Sequence, residues 1–104
     1  MPTQKRKQEL WLQVAERDGY SCAVCGQPAT GGAHHIIPRS QLSSRKNEAL
    51  LWRVENMIDL CATCHDHASG KRGELLVLLK ERYGYSYDSE PFATYVDIKE
   101  GGIG

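Results

Sequence analysis

The chain has 104 residues, 40% hydrophobic and 25% charged, with 13 basic side chains balanced by 13 acidic ones. That length limits it to one small domain, near the lower end of what a single apolar core can hold up, and zero formal charge argues against a generic nucleic-acid coat. No apolar run approaches the roughly 20 residues needed to span a bilayer, and no apolar signal core follows the basic N-terminus, so the expectation is a cytoplasmic, intracellular protein with no membrane partner. The charge is unevenly spread. Residues 1–87 carry 12 basic and 9 acidic side chains, whereas residues 88–104 carry 1 basic and 4 acidic, so a phosphate-binding face belongs to the first part if there is one.

Residues 4–18 read as a helix, with Leu10, Trp11 and Val14 at helical spacing and Gly19 as its stop. It is read as a packing element, although Lys5, Arg6 and Lys7 could touch a nucleic-acid backbone. A turn-rich stretch at 26–33 leads into a short β-prone run, Ala33-His-His-Ile-Ile37, ended by Pro38. Residues 39–53 read as a loop with one helical turn, and Met57-Ile-Asp-Leu60 as a second strand. A helix starts at Ala62 and ends or kinks at Ser69-Gly70. Another spans 73–83 and is closed by Gly84; its run of five apolar residues should sit well inside the core. In the tail a strand is expected at 94–98, with the glycine-rich end mobile.

Cys22, Cys25, Cys61 and Cys64 form two CxxC pairs. In a reducing compartment such pairs are metal ligands more often than disulfides, and two pairs complete a closed tetrahedral site. A structural zinc ion held by these four residues suits a small chain better than a redox pair does. It would join the first helix to the last strand–helix unit, and 35 residues lie between the pairs, so the insert must house something else.

His65 follows Cys64 directly. Adjacent helical residues point about 100° apart, so with Cys64 on the closed site His65 is free to serve a second, open metal site. His67 lies about 200° from His65 on the same helix and reads as a solvated histidine. His34 and His35 would face opposite sides of a regular strand, but at a strand end broken by proline both can border one cleft.

Taken together, Cys22-x-x-Cys25, His34-His35-Ile-Ile-Pro38 and Asn56-x-x-x-x-Cys61-x-x-Cys64-His65 resemble the HNH endonucleases, in particular the zinc-stapled type common in phages and bacterial restriction systems. The resemblance covers roughly residues 20–68. It implies an α+β fold: a small ββα-metal core with a four-cysteine structural zinc site, flanked by N- and C-terminal helices. It also implies that His35 is the general base, that His34 and His65 hold a catalytic divalent cation, and that Asn56 keeps the strand and loop carrying His35 in place. Many relatives have Asp at the position of His34. Histidine makes the site softer, so Mn²⁺, Ni²⁺, Co²⁺ or Zn²⁺ would serve as well as Mg²⁺. Arg39, Lys71 and Arg72 are candidates for backbone phosphates.

The function implied is metal-dependent hydrolysis of DNA phosphodiester bonds, nicking or cutting with little sequence preference and leaving 5′-phosphate and 3′-hydroxyl ends. A place in a larger phage packaging or restriction complex is implied by analogy alone. A non-catalytic zinc-stapled nucleic-acid-binding module is the alternative, and a structural zinc protein that binds another protein through its acidic tail is a third reading.

Overall fold

The computed structural model describes residues 3–42 and 49–101, with side chains to Asp97. Residues 43–48 of the expected loop, and the glycine-rich end at 102–104 for which mobility is expected, lie outside the described residues.

Helix α1 (Gln4–Arg17) begins where the Thr3 hydroxyl accepts a hydrogen bond from the Arg6 N–H. It ends in the left-handed turn expected of a glycine stop. Gly19 has φ 69°, its N–H bonds the Glu16 carbonyl, and the Tyr20 N–H bonds that of Ala15, which satisfies the last orphan acceptors. Leu10 and Val14 are buried, while Trp11 of the same expected stripe is 41% exposed.

Strands β1 (Gly32–His35) and β2 (Met57–Leu60) form an antiparallel pair in the register Gly32↔Leu60, Ala33↔Asp59, His34↔Ile58 and His35↔Met57. Directly opposed residues share a face and successive residues alternate. One face therefore carries Ala33, His35, Met57 and Asp59, and Met57 packs there with Leu10 and Val14 of α1. The other face carries His34, Ile58 and Leu60, and Ile58 and Leu60 join the main core. The sheet thus lies between α1 on one side and the later helices on the other. β1 is shorter than expected because Ile36 and Ile37 leave the ladder, drawn away by Asn56.

Helix α2 (Ala62–His67) runs into a 3-10 turn at Ala68–Lys71, followed by α3 (Arg72–Tyr83). Leu75, Leu76 and Leu79 of α3 are buried, as its apolar run required. Gly84, at φ 74°, closes it, with its N–H on the Lys80 carbonyl.

The strand expected at 94–98 is not one: these residues belong to α4 (Phe92–Gly101). Phe92 and Val96, four residues apart, are both buried in the core shared with α3. The same stretch fits a period of two and a period of 3.6, and packing against α3 selects the second. No helix among the described residues is long and apolar enough to cross a membrane.

A polar hub that the sequence does not announce ties these layers together. Arg17 forms a two-pronged ion pair with Asp18, at 2.9 and 3.0 Å, and donates to the carbonyls of Val54 and Met57 at 2.7 and 2.6 Å. Asp18 accepts from the Asp59 N–H and the Tyr83 hydroxyl. Burial pushes the Asp18 carboxyl up, but the bonds from Arg17, the Asp59 amide and Tyr83 outweigh it and hold the pKa below its ordinary value. One pair of adjacent side chains thus joins the end of α1 to β2 and to the end of α3. The Asp18 side chain is fully buried, so Asp18→Ala strands a largely buried guanidinium. The expected loss is about 3–5 kcal/mol, read as a lower urea midpoint for the metal-loaded protein. A midpoint within experimental error of wild type would show that the hub is not structural.

Candidate functional site

Two clusters meet at the start of α2. In the first, the four thiols of Cys22, Cys25, Cys61 and Cys64 lie within 4.8 Å of one another, and the Cys25 and Cys61 sulfurs are 3.6 Å apart. A tetrahedral zinc ion with Zn–S bonds of about 2.3 Å requires sulfurs about 3.8 Å apart, so the cluster matches one such ion. Local backbone builds each half. The Gly26 N–H returns to the Cys22 carbonyl with Gly26 at φ 80°, and the Cys61 sulfur caps α2 by accepting the Cys64 N–H at 3.4 Å.

Electrostatics point the same way. Burial raises the Cys22 thiol, but N–H groups of Cys25, Cys61 and Val24 outweigh it and bring its pKa down to about 6. Its neighbour Cys64 is pushed up to about 12, first by hydrogen bonding with the Cys61 thiol and then by burial. Crowded sulfurs cannot all ionise beside one another, and a cation at the centre removes that conflict. The cluster is a structural metal site of the zinc type.

The second cluster is histidine. His34 and His65 meet edge to face with ring centroids 4.9 Å apart, across the gap between β1 and α2. His34 Nε2 is buried and has no hydrogen-bond partner, the state of a nitrogen placed for a ligand outside the chain. Burial, followed by the charges of His65, His35 and Arg72, pushes the His34 pKa down to about 4. At neutral pH it is a neutral imidazole with a lone pair to give.

His35 lies on the opposite face of the strand. Its ring meets Trp52 edge to face at 4.7 Å, and the Leu51 backbone hydrogen-bonds it. Nδ1 is buried without a hydrogen-bond partner. Burial pushes the His35 pKa down; the Leu51 bond opposes this, and Arg39 adds to it. The structure brings His34 and His65 together and sets His35 beside them at the end of the same strand, close enough for its charge to act on His34.

Asn56 is fully buried. Its Oδ1 accepts the Ile37 N–H at 2.9 Å and its Nδ2 donates to the Ile37 carbonyl at 3.1 Å. Its own carbonyl takes the Ile36 N–H at 2.8 Å. Three bonds thus hold the chain immediately after His35. His67 is exposed at the end of α2. Arg39 and Arg72 flank the histidines, with the charge of Arg39 reaching His35 and that of Arg72 reaching His34. Lys71 is exposed and, with Arg72 and Tyr95, lines a groove of about 550 Å³.

Trp52 is a member of the site that the sequence does not reveal. Its proximity to His35 depends on how the 39–53 segment folds back, which local pattern does not carry. Gly31 is another. A Cβ there would lie 2.9 Å from the carbonyl oxygens of Leu60 and Cys61, so only glycine fits where this turn crosses the start of the second CxxC.

Stripping the metal is expected to unfold the protein. Structural zinc contributes about 10–16 kcal/mol in small metal-dependent folds, as much as or more than the whole stability of an ordinary domain. Chelation should abolish the thermal transition, and Cys61→Ser should take elemental zinc from about one ion per chain to a trace; an unchanged melting curve after stripping would refute the structural role. Asn56→Ala leaves two backbone groups of Ile37 unpaired, at about 1–3 kcal/mol each. Urea unfolding of the zinc-loaded variant measures the loss, and wild-type stability would remove Asn56 from this role.

Neither a search of curated proteins nor one of solved structures returns a match. Residues 22–71 match the family model for the HNH endonuclease. That span holds all four cysteines, both strands, α2 and the residues His34, His35, Asn56 and His65, so the similarity to the HNH endonuclease domain covers every residue of both clusters.

Proposed function

We propose that the protein is a metal-dependent endonuclease that hydrolyses DNA phosphodiester bonds with little sequence preference, leaving 5′-phosphate and 3′-hydroxyl ends. The observation that carries this is the buried, unpartnered Nε2 of His34 facing His65, beside a second histidine with an unpartnered Nδ1. His34 and His65 would hold the catalytic cation, with Mg²⁺, Mn²⁺, Ni²⁺ or Zn²⁺ as candidates. Such a cation supplies charge neutralisation at the phosphate and at the departing 3′ oxygen.

His35 acts as the general base. Its unpartnered Nδ1 takes a proton from the attacking water, while the edge-to-face contact with Trp52 keeps the ring oriented. Asn56 holds the backbone behind it, and the charges of Arg39 and Arg72 are placed to attract phosphate oxygens on either side. Lys71 adds a third cation at the rim. All four cysteines serve the fold rather than the reaction, since a closed tetrahedral site has no position for substrate.

The test is supercoiled plasmid incubated with zinc-loaded protein and Mg²⁺, Mn²⁺ or Ni²⁺, beside His35→Ala. Wild type should give nicked or linear product. The variant should lose about 10²–10⁴-fold in rate, the usual worth of a general base, with zinc content and melting temperature unchanged. Wild-type rates from His35→Ala would sink its role. Plasmid left supercoiled under every metal would leave the non-catalytic nucleic-acid-binding module in its place.

A further inference from the structure

A groove of about 500 Å³ lies outside this site, where α1 meets β1. Trp11 and Tyr20 line it and remain 41% and 60% exposed. Ala29, Gly31 and Ala33 give it small apolar walls, and Asp59 is its one charged lining residue. Tyr20 occupies the left-handed region at φ 58°, a conformation that disfavours a side chain, so the residue is not there for the turn.

Two of its lining residues, Trp11 and Ala33, neighbour the histidine site. The Trp11 ring lies 6.2 Å from that of Trp52, which meets His35 at 4.7 Å. Ala33 shares a sheet face with His35, two residues on. Lys7, one helical turn before Trp11, places its Nζ 4.9 Å from the centre of the Trp52 ring. The cation is therefore at the Trp52 end, while the groove itself offers aromatic faces, small apolar walls and one carboxylate.

We propose that this groove binds the unpaired bases of a single-stranded DNA segment, stacked on Trp11 and Tyr20 beside His35. The proposal rests on the DNA-cleavage reading and narrows its substrate to DNA with a locally unpaired stretch. Bases within a duplex are stacked on each other and present no face to an aromatic side chain, whereas unpaired bases do. No basic side chain lines the groove, so unpaired bases find two aromatic faces there while the backbone stays outside, with Lys7 at the Trp52 end.

The test is fluorescence anisotropy of a labelled oligothymidylate of about 15 nucleotides and of a duplex of the same length, with zinc-loaded protein and no other divalent cation. The single strand should bind more tightly than the duplex. Trp11→Ala and Tyr20→Gly should each weaken single-strand binding about 5- to 150-fold, the range that stacking of one base provides. Glycine suits φ 58°, so Tyr20→Gly keeps the test valid should Trp11→Ala fail to fold. Equal affinity for duplex and single strand, or unchanged single-strand affinity in Tyr20→Gly, overturns the proposal. Plasmid cleavage alongside either of those results leaves the nuclease reading standing without the groove. Aromatic-dependent single-strand binding by a protein that never cuts plasmid supports the groove and sinks the nuclease reading.

Discussion

Four sulfurs within 4.8 Å of one another are the constraint on which the rest of this chain depends. Without a cation they share protons unevenly, and the cluster has no reason to stay closed. With one, the turn at Cys22–Cys25 is fastened to the start of α2 across 35 intervening residues. That fastening also sets the rotation of α2. Cys61 and Cys64 face the metal, so His65, the next residue on a helix that turns about 100° per residue, is carried round to His34. The structural site and the histidine pair are two consequences of one helix orientation.

The strand contributes the complementary constraint. Side chains alternate with a period of two, so His34 and His35 cannot both face α2. His34 takes the α2 side and His35 the α1 side, against Trp52. They still border one edge because the strand stops there: Asn56 takes both polar groups of the Ile37 backbone and turns the chain out of the ladder before Pro38. A neutral His34 facing His65 and a neutral His35 with its unpartnered Nδ1 on the adjacent side form the arrangement that the proposed hydrolysis requires.

What is legible in the sequence is what local pattern encodes. The CxxC spacing marks the metal ligands, the position of His65 after Cys64 marks its different direction, and Gly19 and Gly84 mark the ends of α1 and α3. Long-range partners are not legible. Arg17 and Asp18 look like two ordinary charges at a helix end, and only the folded chain brings the Val54 and Met57 carbonyls to one and the Asp59 N–H to the other. Trp52 sits in a stretch that reads as a loop, because nothing nearby in sequence announces His35. The strand expected at 94–98 fails for the same reason: its pattern suits two periods, and burial of Phe92 and Val96 against α3 decides between them.

Register joins these features. A two-stranded sheet is marginal by itself, and a slip of one residue would exchange the faces of His34 and His35, turning the wrong histidine towards His65. Polar ties at both ends of β2 oppose that slip. At one end the Asn56 carbonyl holds the Ile36 N–H and the Met57 carbonyl holds Arg17. Along the rest, the Asp59 N–H is bound to Asp18, the Asp59 carbonyl to the Ala23 N–H beside Cys22, and the Leu60 carbonyl to the Gly31 N–H. The ties reach four elements: the end of α1, the first CxxC turn, the turn before β1, and the exit from β1. Shifting β2 by one residue would break all of them together and draw Cys61 away from the metal. The buried Arg17–Asp18 pair and the zinc-type cluster therefore act on the same quantity. Both specify which histidine faces which helix, and in that sense residues far from the proposed chemistry decide whether it can occur.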